Sequence, residues 1–271
     1  MSDGVPTLIG LPYDGGSSYL RGPALAPRLI REALACDSAN WWTEDLQDLG
    51  RQGALEDAGD LPLADSAANR ELIQEGIRRI LDQGGRPLAL GGDHSVTYPV
   101  LKALGPRHPG LTLLHLDAHP DLYPDYQGDP FSHAAPFSRI MEEGLAARLI
   151  QVGIRTMAAV QRAQADRFQV EVIDMRAWAA GVRPVFSGPV YVSLDLDCLD
   201  PAFAPGVSHW EPGGLSTREA IGIIQAIEGP LVGADLVEFN PLRDPSGLTG
   251  MVCAKLVKEL AAKMGRTREG G

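Results

Sequence analysis

The sequence predicts an α/β protein built as three layers, with a central, mainly parallel sheet between two layers of helices. Two observations carry this. Short, nearly continuous apolar runs alternate with segments of helical periodicity along the whole chain, the pattern of a sheet buried on both faces. Costly polar residues also follow directly on several of those runs, and the carboxyl ends of parallel strands are where working groups gather.

The elements follow in order. "PTLIG" (6–10) reads as a first buried strand and "ALAPRLIREAL" as an amphipathic helix. "ANRELIQEGIRRILDQG" has apolar residues at helical spacing, and Gly84 and Gly85 end it. "PLALGG" (87–92) is a strand and "VTYPVLKAL" a helix. "LTLLHLD" (111–117), "LIQVGI" (149–154), "VEVID" (170–174), "VYVSLDLD" (190–197) and "LVGADLVEF" (231–239) are further strands. "AVQRAQADRF", "STREAIGIIQAIEG" and "GLTGMVCAKLVKELAAKM" are the helices between and after them; Ser216 and Glu219 form a capping box on the second. No linker, repeat or composition shift divides the chain, so a single domain over 1–271 is expected, with a frayed polar tail at 265–271.

Composition narrows the function. The 271 residues are 44% hydrophobic and 22% charged, enough for a sizeable core. A net charge of −11 with no basic run argues against a nucleic-acid partner and suits a small cationic substrate, although solubility alone would explain it as well. The beginning "MSDGVPTLIG" has no basic segment leading into a long apolar one, and no apolar run approaches the ~18 residues of a membrane span. Cys36, Cys198 and Cys253 are too scattered for a disulfide framework or a zinc site. A cytoplasmic location is the expectation. Cys198 lies within "DLDCLD" but has no histidine beside it to activate it, and reads as an inert thiol.

The costly residues form three clusters: His94 in "GGDHS", Asp117, His119 and Asp121 in "HLDAHPD", and Asp195 and Asp197 in "SLDLDCLDP". Residues at i and i+2 of an extended segment share a side, so each pair can present two ligands to one place. Buried carboxylates pair or hold a cation. Four carboxylates outweigh one divalent ion and match two. Imidazole with carboxylate and no thiolate favours manganese, with iron, cobalt, nickel or zinc behind it. A two-metal site makes hydroxide near neutral pH and clamps it for attack on an electrophilic centre. Glu238, in "DLVEFNP", is placed to accept two parallel donors of a guanidinium, and is explained equally by a solvated or capping glutamate.

"GGDHS", "HLDAHPDLY", "SLDLDCLDPAFAPG" and "LVEFNP" together resemble the signatures of the ureohydrolases, the manganese enzymes that include arginase and agmatinase. The resemblance covers nearly the whole chain. "AHPDLYPDYQGDPFSHAAPFSRIMEEG" and "DCLDPAFAPGVSHWEPGGLS" are most similar to the plant-type arginases. It implies the arginase/deacetylase-like form of the predicted fold. It also implies that His94, Asp117, Asp121 and Asp195 hold one manganese, and His119, Asp117, Asp195 and Asp197 the other. A hydroxide bridging the two would attack the guanidinium carbon, with Asp121 passing the proton to the departing amine. Glu238 would fix the guanidinium, His133 in "FSHAAPF" would shuttle protons, and Asp93 would support the ligands. Tyr123, Ser132 and Glu211 are the further substrate contacts expected.

The resemblance makes L-arginine the first substrate, giving L-ornithine and urea, and agmatine the alternative, giving putrescine and urea. Another guanidino acid is a further option. The animal-type residues that read an amino acid's carboxylate and amino group have no evident counterpart: Tyr123 stands where asparagine would be expected, and "RTMAAV" (155–160) lacks an acidic pair. Ala134 replaces the family's usual glycine, as in plant-type members. A loop bearing His209, Trp210 and Glu211 is expected at the pocket, while His108 and His115 are expected to be structural. The rival from another class is a non-catalytic metal-holding scaffold; a deacetylase on a related fold fits a two-ion set less well. A homo-oligomer, trimer or hexamer, is implied by the resemblance alone.

Overall fold

The computed structural model describes residues 4–265. Met1–Asp3 and most of the expected tail, 266–271, lie outside the described residues, while Gly265 closes the last helix. Eight strands form one parallel sheet: β1 (Pro6–Gly10), β2 (Glu56–Asp60), β3 (Arg86–Leu90), β4 (Thr112–Leu116), β5 (Arg148–Val152), β6 (Glu171–Ile173), β7 (Val190–Asp195) and β8 (Leu231–Val237). Their order across the sheet is β2-β1-β3-β8-β7-β4-β5-β6, and every pair is parallel.

The apolar runs form strands because both faces are covered. Helices α1 (Ala26–Leu34), α6 (Met175–Ala179), α7 (Thr217–Gln225) and α8 (Leu248–Gly265) pack on one face, where Ile30, Leu114, Val192, Ile224 and Leu256 meet. Helices α2 (Asn69–Asp82), α3 (Thr97–Leu104), α4 (Pro136–Glu142) and α5 (Ala159–Phe168) cover the other, with Ile77, Leu101, Leu113, Phe137 and Tyr191. Leu113 and Leu114 are neighbours in β4 yet join opposite layers, the period-two alternation of a strand. Each fully buried Leu or Ile side chain contributes roughly 1.5–3 kcal/mol. The capping box is present: the Ser216 hydroxyl accepts the Glu219 N–H at 3.2 Å, and Glu219 accepts the Ser216 N–H at 2.8 Å.

Three elements escape the sequence pattern. β2, "EDAGD", is a largely exposed edge strand without an apolar run. α4 and α6 span seven and five residues, too few for a helical period to register.

Candidate metal centre

Four adjacent central strands deliver the clusters to one end of the sheet. His94 follows β3, Asp117 follows β4, Asp195 ends β7, and Glu238 follows β8. A strand end halts the ladder, so carboxylates there find backbone N–H groups free to orient them. Asp195 Oδ1 accepts the Asp197 N–H at 2.8 Å, and Asp197 Oδ1 accepts the Ala118 N–H at 3.1 Å. Their other oxygens face imidazoles: Asp195 Oδ2 lies 3.1 Å from His94 Nδ1, and Asp197 Oδ2 3.1 Å from His119 Nδ1.

His94 supplies the test of whether a cation fits. Its Nε2 lies 3.0 Å from Ser193 Oγ, whose own hydrogen goes to Asp235 Oδ1 at 2.7 Å. Ser193 therefore accepts from Nε2–H, and Nδ1 is left as a lone pair. That buried Nδ1 has no hydrogen-bond partner, yet Oδ2 of Asp117, Asp121 and Asp195 lie 3.2, 3.2 and 3.1 Å from it. Burial would lower the His94 pKa, but these carboxylates raise it well above the ordinary imidazole value. A single N–H cannot point at three oxygens; a metal ion among them answers all four atoms. Asp195 points the same way, since burial first and then repulsion from Asp197 and Asp117 push its carboxyl well above the usual range. The donor set fits a divalent cation. Asp117, His119 and Asp197 form a second group of the same kind.

His115 is placed beside the ligand set. It is fully buried, lies 2.7 Å from Asp117 Oδ2 through Nε2, and stacks on Phe137 with ring centroids 3.8 Å apart. It therefore holds the same Asp117 oxygen that faces His94, and His94, His115 and Asp117 also form a group able to hold a cation. Asp93 accepts from the Ser95 N–H at 3.0 Å and the Ser17 hydroxyl at 3.3 Å, which makes it a partner of the neighbouring loops. Cys198 is fully buried, and burial pushes its thiol well above the ordinary value.

Above the cluster opens a cavity of about 370 Å³, with His119, Asp121, Asp195, Asp197, His133 and Glu238 in its wall. His133 Nδ1 lies 2.9 Å from Glu238 Oε1. Asp121 and Glu238 both adopt left-handed backbone, at φ 49° and 64°. Such conformations cost non-glycine residues on the order of 1–3 kcal/mol and persist where the surroundings impose them, often at functional sites. Tyr123 lines the cavity with Tyr126. Ser132 and Glu211 do not line it. The Ser132 hydroxyl is buried and donates to Gly16 O at 3.4 Å, and Glu211 sits at the rim with Oε1 3.9 Å from His119 Nε2.

Ser18, a lining residue that carried no local signal, reaches His133 Nε2 from the loop after β1. His209, on the loop expected at the pocket, lines it too and packs its ring 5.6 Å from that of His133. Arg155 is not free to meet a substrate carboxylate. Its guanidinium donates to the carbonyls of Gly153, Asp197, Cys198, Leu199 and Glu211, the Asp197 bond being 2.6 Å.

Comparison with known proteins places this geometry in context. Residues 6–262 match the family model described as the Arginase family. The chain is 46% identical over 278 residues to "Arginase 1, mitochondrial" of Arabidopsis thaliana, covering 96% of this chain and 81% of that protein. The solved structure titled "Arginase from Medicago truncatula" superposes with a TM-score of 0.91 at 43% identity, covering 97% of this chain and 88% of that one. An agmatinase of Bacillus anthracis is 35% identical, over 93% of this chain and 89% of its own length. The expectation of a cytoplasmic location is corrected by these relatives: arginases at 45–46% identity are named as mitochondrial or as chloroplastic and mitochondrial. Three free thiols distinguish a reducing compartment from an oxidising one and do not separate cytoplasm from organelle. Among the described residues no helix is long and apolar enough to cross a membrane.

Proposed function

Since this chain belongs to the arginase family, we propose that it is a manganese-dependent hydrolase that converts L-arginine and water to L-ornithine and urea. The observation that carries the reading is the convergence of the His94 Nδ1 lone pair with three buried carboxylate oxygens at 3.1–3.2 Å, beneath a cavity walled by Glu238. His94, Asp117, Asp121 and Asp195 would hold one ion; His119, Asp117, Asp195 and Asp197 would hold the other, with Asp117 and Asp195 shared. Bound divalent ions supply Lewis acidity and make water a nucleophile near neutral pH.

The chain's own residues then do the rest. Glu238 accepts guanidinium N–H groups and sets the central carbon over the ligand cluster. Asp121, at the cavity wall, takes the proton of the attacking water and gives it to the departing amine. His133 exchanges protons between the cavity and solvent. Tyr123 contacts the substrate chain, with Glu211 at the rim. The chain is read as one domain over 1–271, assembling as a homo-oligomer.

Agmatine is the second reading, favoured by one observation: the Arg155 guanidinium is taken up by backbone carbonyls, so this loop offers no cation to a carboxylate. A site that pairs a substrate's polar end rejects an analogue lacking it strongly, so the two substrates should separate clearly. Urea release from arginine, agmatine, guanidinobutyrate and guanidinoacetate by manganese-loaded protein tests this. Higher kcat/KM for arginine is expected; agmatine ahead by about tenfold, roughly 1.4 kcal/mol in transition-state binding, would make the enzyme an agmatinase. No urea from any of them would leave the scaffold reading.

A further inference from the structure

We infer that Ser18 is a positioning residue for this reaction, holding His133 in both of its protonation states and linking the imidazole to solvent. This rests on the reading of His133 as the proton carrier.

His133 Nδ1 faces Glu238 Oε1 at 2.9 Å. An ionised carboxylate only accepts, so Nδ1 keeps its hydrogen and Nε2 is the nitrogen that gains and loses a proton. Ser18 presents two groups to that nitrogen. Its backbone N is 3.1 Å from Nε2, and its Oγ is 2.8 Å from it. When His133 is neutral, the Nε2 lone pair accepts the Ser18 N–H. When it is charged, Nε2–H faces that N–H unfavourably and needs an acceptor, which Oγ provides. His133 is buried whereas Ser18 is exposed and both line the cavity, so Ser18 stands on the solvent side of the imidazole.

The seat of this loop does not depend on the Ser18 side chain. The His133 N–H donates to Gly16 O at 3.2 Å, and the Ser17 hydroxyl donates to Asp93 Oδ2 at 3.3 Å. Gly16 permits the approach, since a Cβ there would come within 2.9 Å of Ser95 Oγ. Around the ring stand Glu238 after β8, Asp93 after β3, Asp121 after β4 and His209 from the loop before α7. Burial opposes the charged imidazole and the three carboxylates favour it, leaving its pKa at about 9. A group so biased toward charge releases its proton readily only if the neutral state also has a partner, and the Ser18 N–H is that partner.

The test is the pH profile of kcat and KM for metal-loaded, full-length Ser18→Ala, Ser18→Thr and His133→Asn. Ser18→Ala keeps the N–H and removes the acceptor, so the neutral imidazole gains ground. The pKa assigned to His133 should fall by roughly one unit, the scale of one hydrogen bond to a charged group. Turnover should drop at alkaline pH while KM stays unchanged, and Ser18→Thr should restore the profile. A Ser18→Ala profile that superimposes on the wild type, while His133→Asn loses the same limb, overturns the role of Ser18 alone. A wild-type profile in His133→Asn overturns the reading of His133 beneath it.

Discussion

Glu238 Oε1 lies 2.9 Å from His133 Nδ1 and accepts the backbone N–H of His94 at the same distance. One oxygen thus ties the proposed proton carrier to the backbone of a candidate metal ligand, while Glu238 stays at the cavity wall. Burial would raise the Glu238 carboxyl, yet His133 holds it below its ordinary value.

If His133 carries protons and holds no metal, His133→Asn should lower turnover by ~10²-fold, the usual scale for a general acid–base group. Its manganese content should match the wild type by elemental analysis. Loss of metal in this variant would make His133 a ligand or a support of one.

The same pair gives a pH dependence of stability. The folded pKa of His133, about 9, stands above its ordinary 6.5, so its contribution is complete below 6.5 and is lost as pH rises through about 9. Glu238 is depressed from 4.5, so its share is present above that value and is lost on acidification through its lower folded pKa. The excess Tm of wild type over His133→Asn should therefore hold near neutral pH and shrink toward pH 9. An excess that grows on that alkaline side would contradict the pairing.

Asp195 is read as shared between two ions, so Asp195→Ala should lose both metal and activity. Elemental analysis of fully active wild type should give two manganese ions per chain. At most one tightly bound ion in active protein would sink the binuclear reading.

Asp235 is fully buried and accepts the hydroxyls of Tyr191 at 2.8 Å and Ser193 at 2.7 Å. Asp235→Ala would strand both, at roughly 1–3 kcal/mol each. It would also free Ser193 to rotate away from His94, and such supports commonly matter about 10–100-fold in metal affinity. Thermal melts with a chelator competition titration measure both effects. A lower Tm with unchanged metal affinity would confine Asp235 to the core.

Arg155 serves five carbonyls that hold the Asp197 turn against the Glu211 loop. Lysine has three donors on a single nitrogen and cannot span them. Arg155→Lys should therefore reduce turnover of arginine and agmatine by the same factor. A loss confined to arginine would place the guanidinium against the substrate carboxylate.

Strand order along the chain, the parallel sheet and the six candidate ligands were legible because their signals are local. An apolar run shows a buried strand, and costly residues spaced i, i+2 directly after it mark its carboxyl end. The extended geometry expected of such pairs does not hold, since Asp195 ends β7 while Asp197 lies in the 3-10 turn Leu196–Cys198 with its N–H held by Asp195 Oδ1. The same reading missed β2, whose exposed "EDAGD" has no apolar run, and the short helices α4 and α6. It placed Ser132 and Glu211 at the substrate, where the fold turns one to Gly16 and leaves the other at the rim.

By itself, then, the sequence determined the layers, the clusters of candidate ligands and the family resemblance. Only the tertiary structure decided that Ser18 meets His133 across 115 residues, that Arg155 is bound to carbonyls, and that Asp121 and Glu238 sit in left-handed backbone. The physical reason is that periodicity records which face of an element is buried. The path of a loop is set by packing and hydrogen bonds between segments remote in sequence, and no local pattern encodes it.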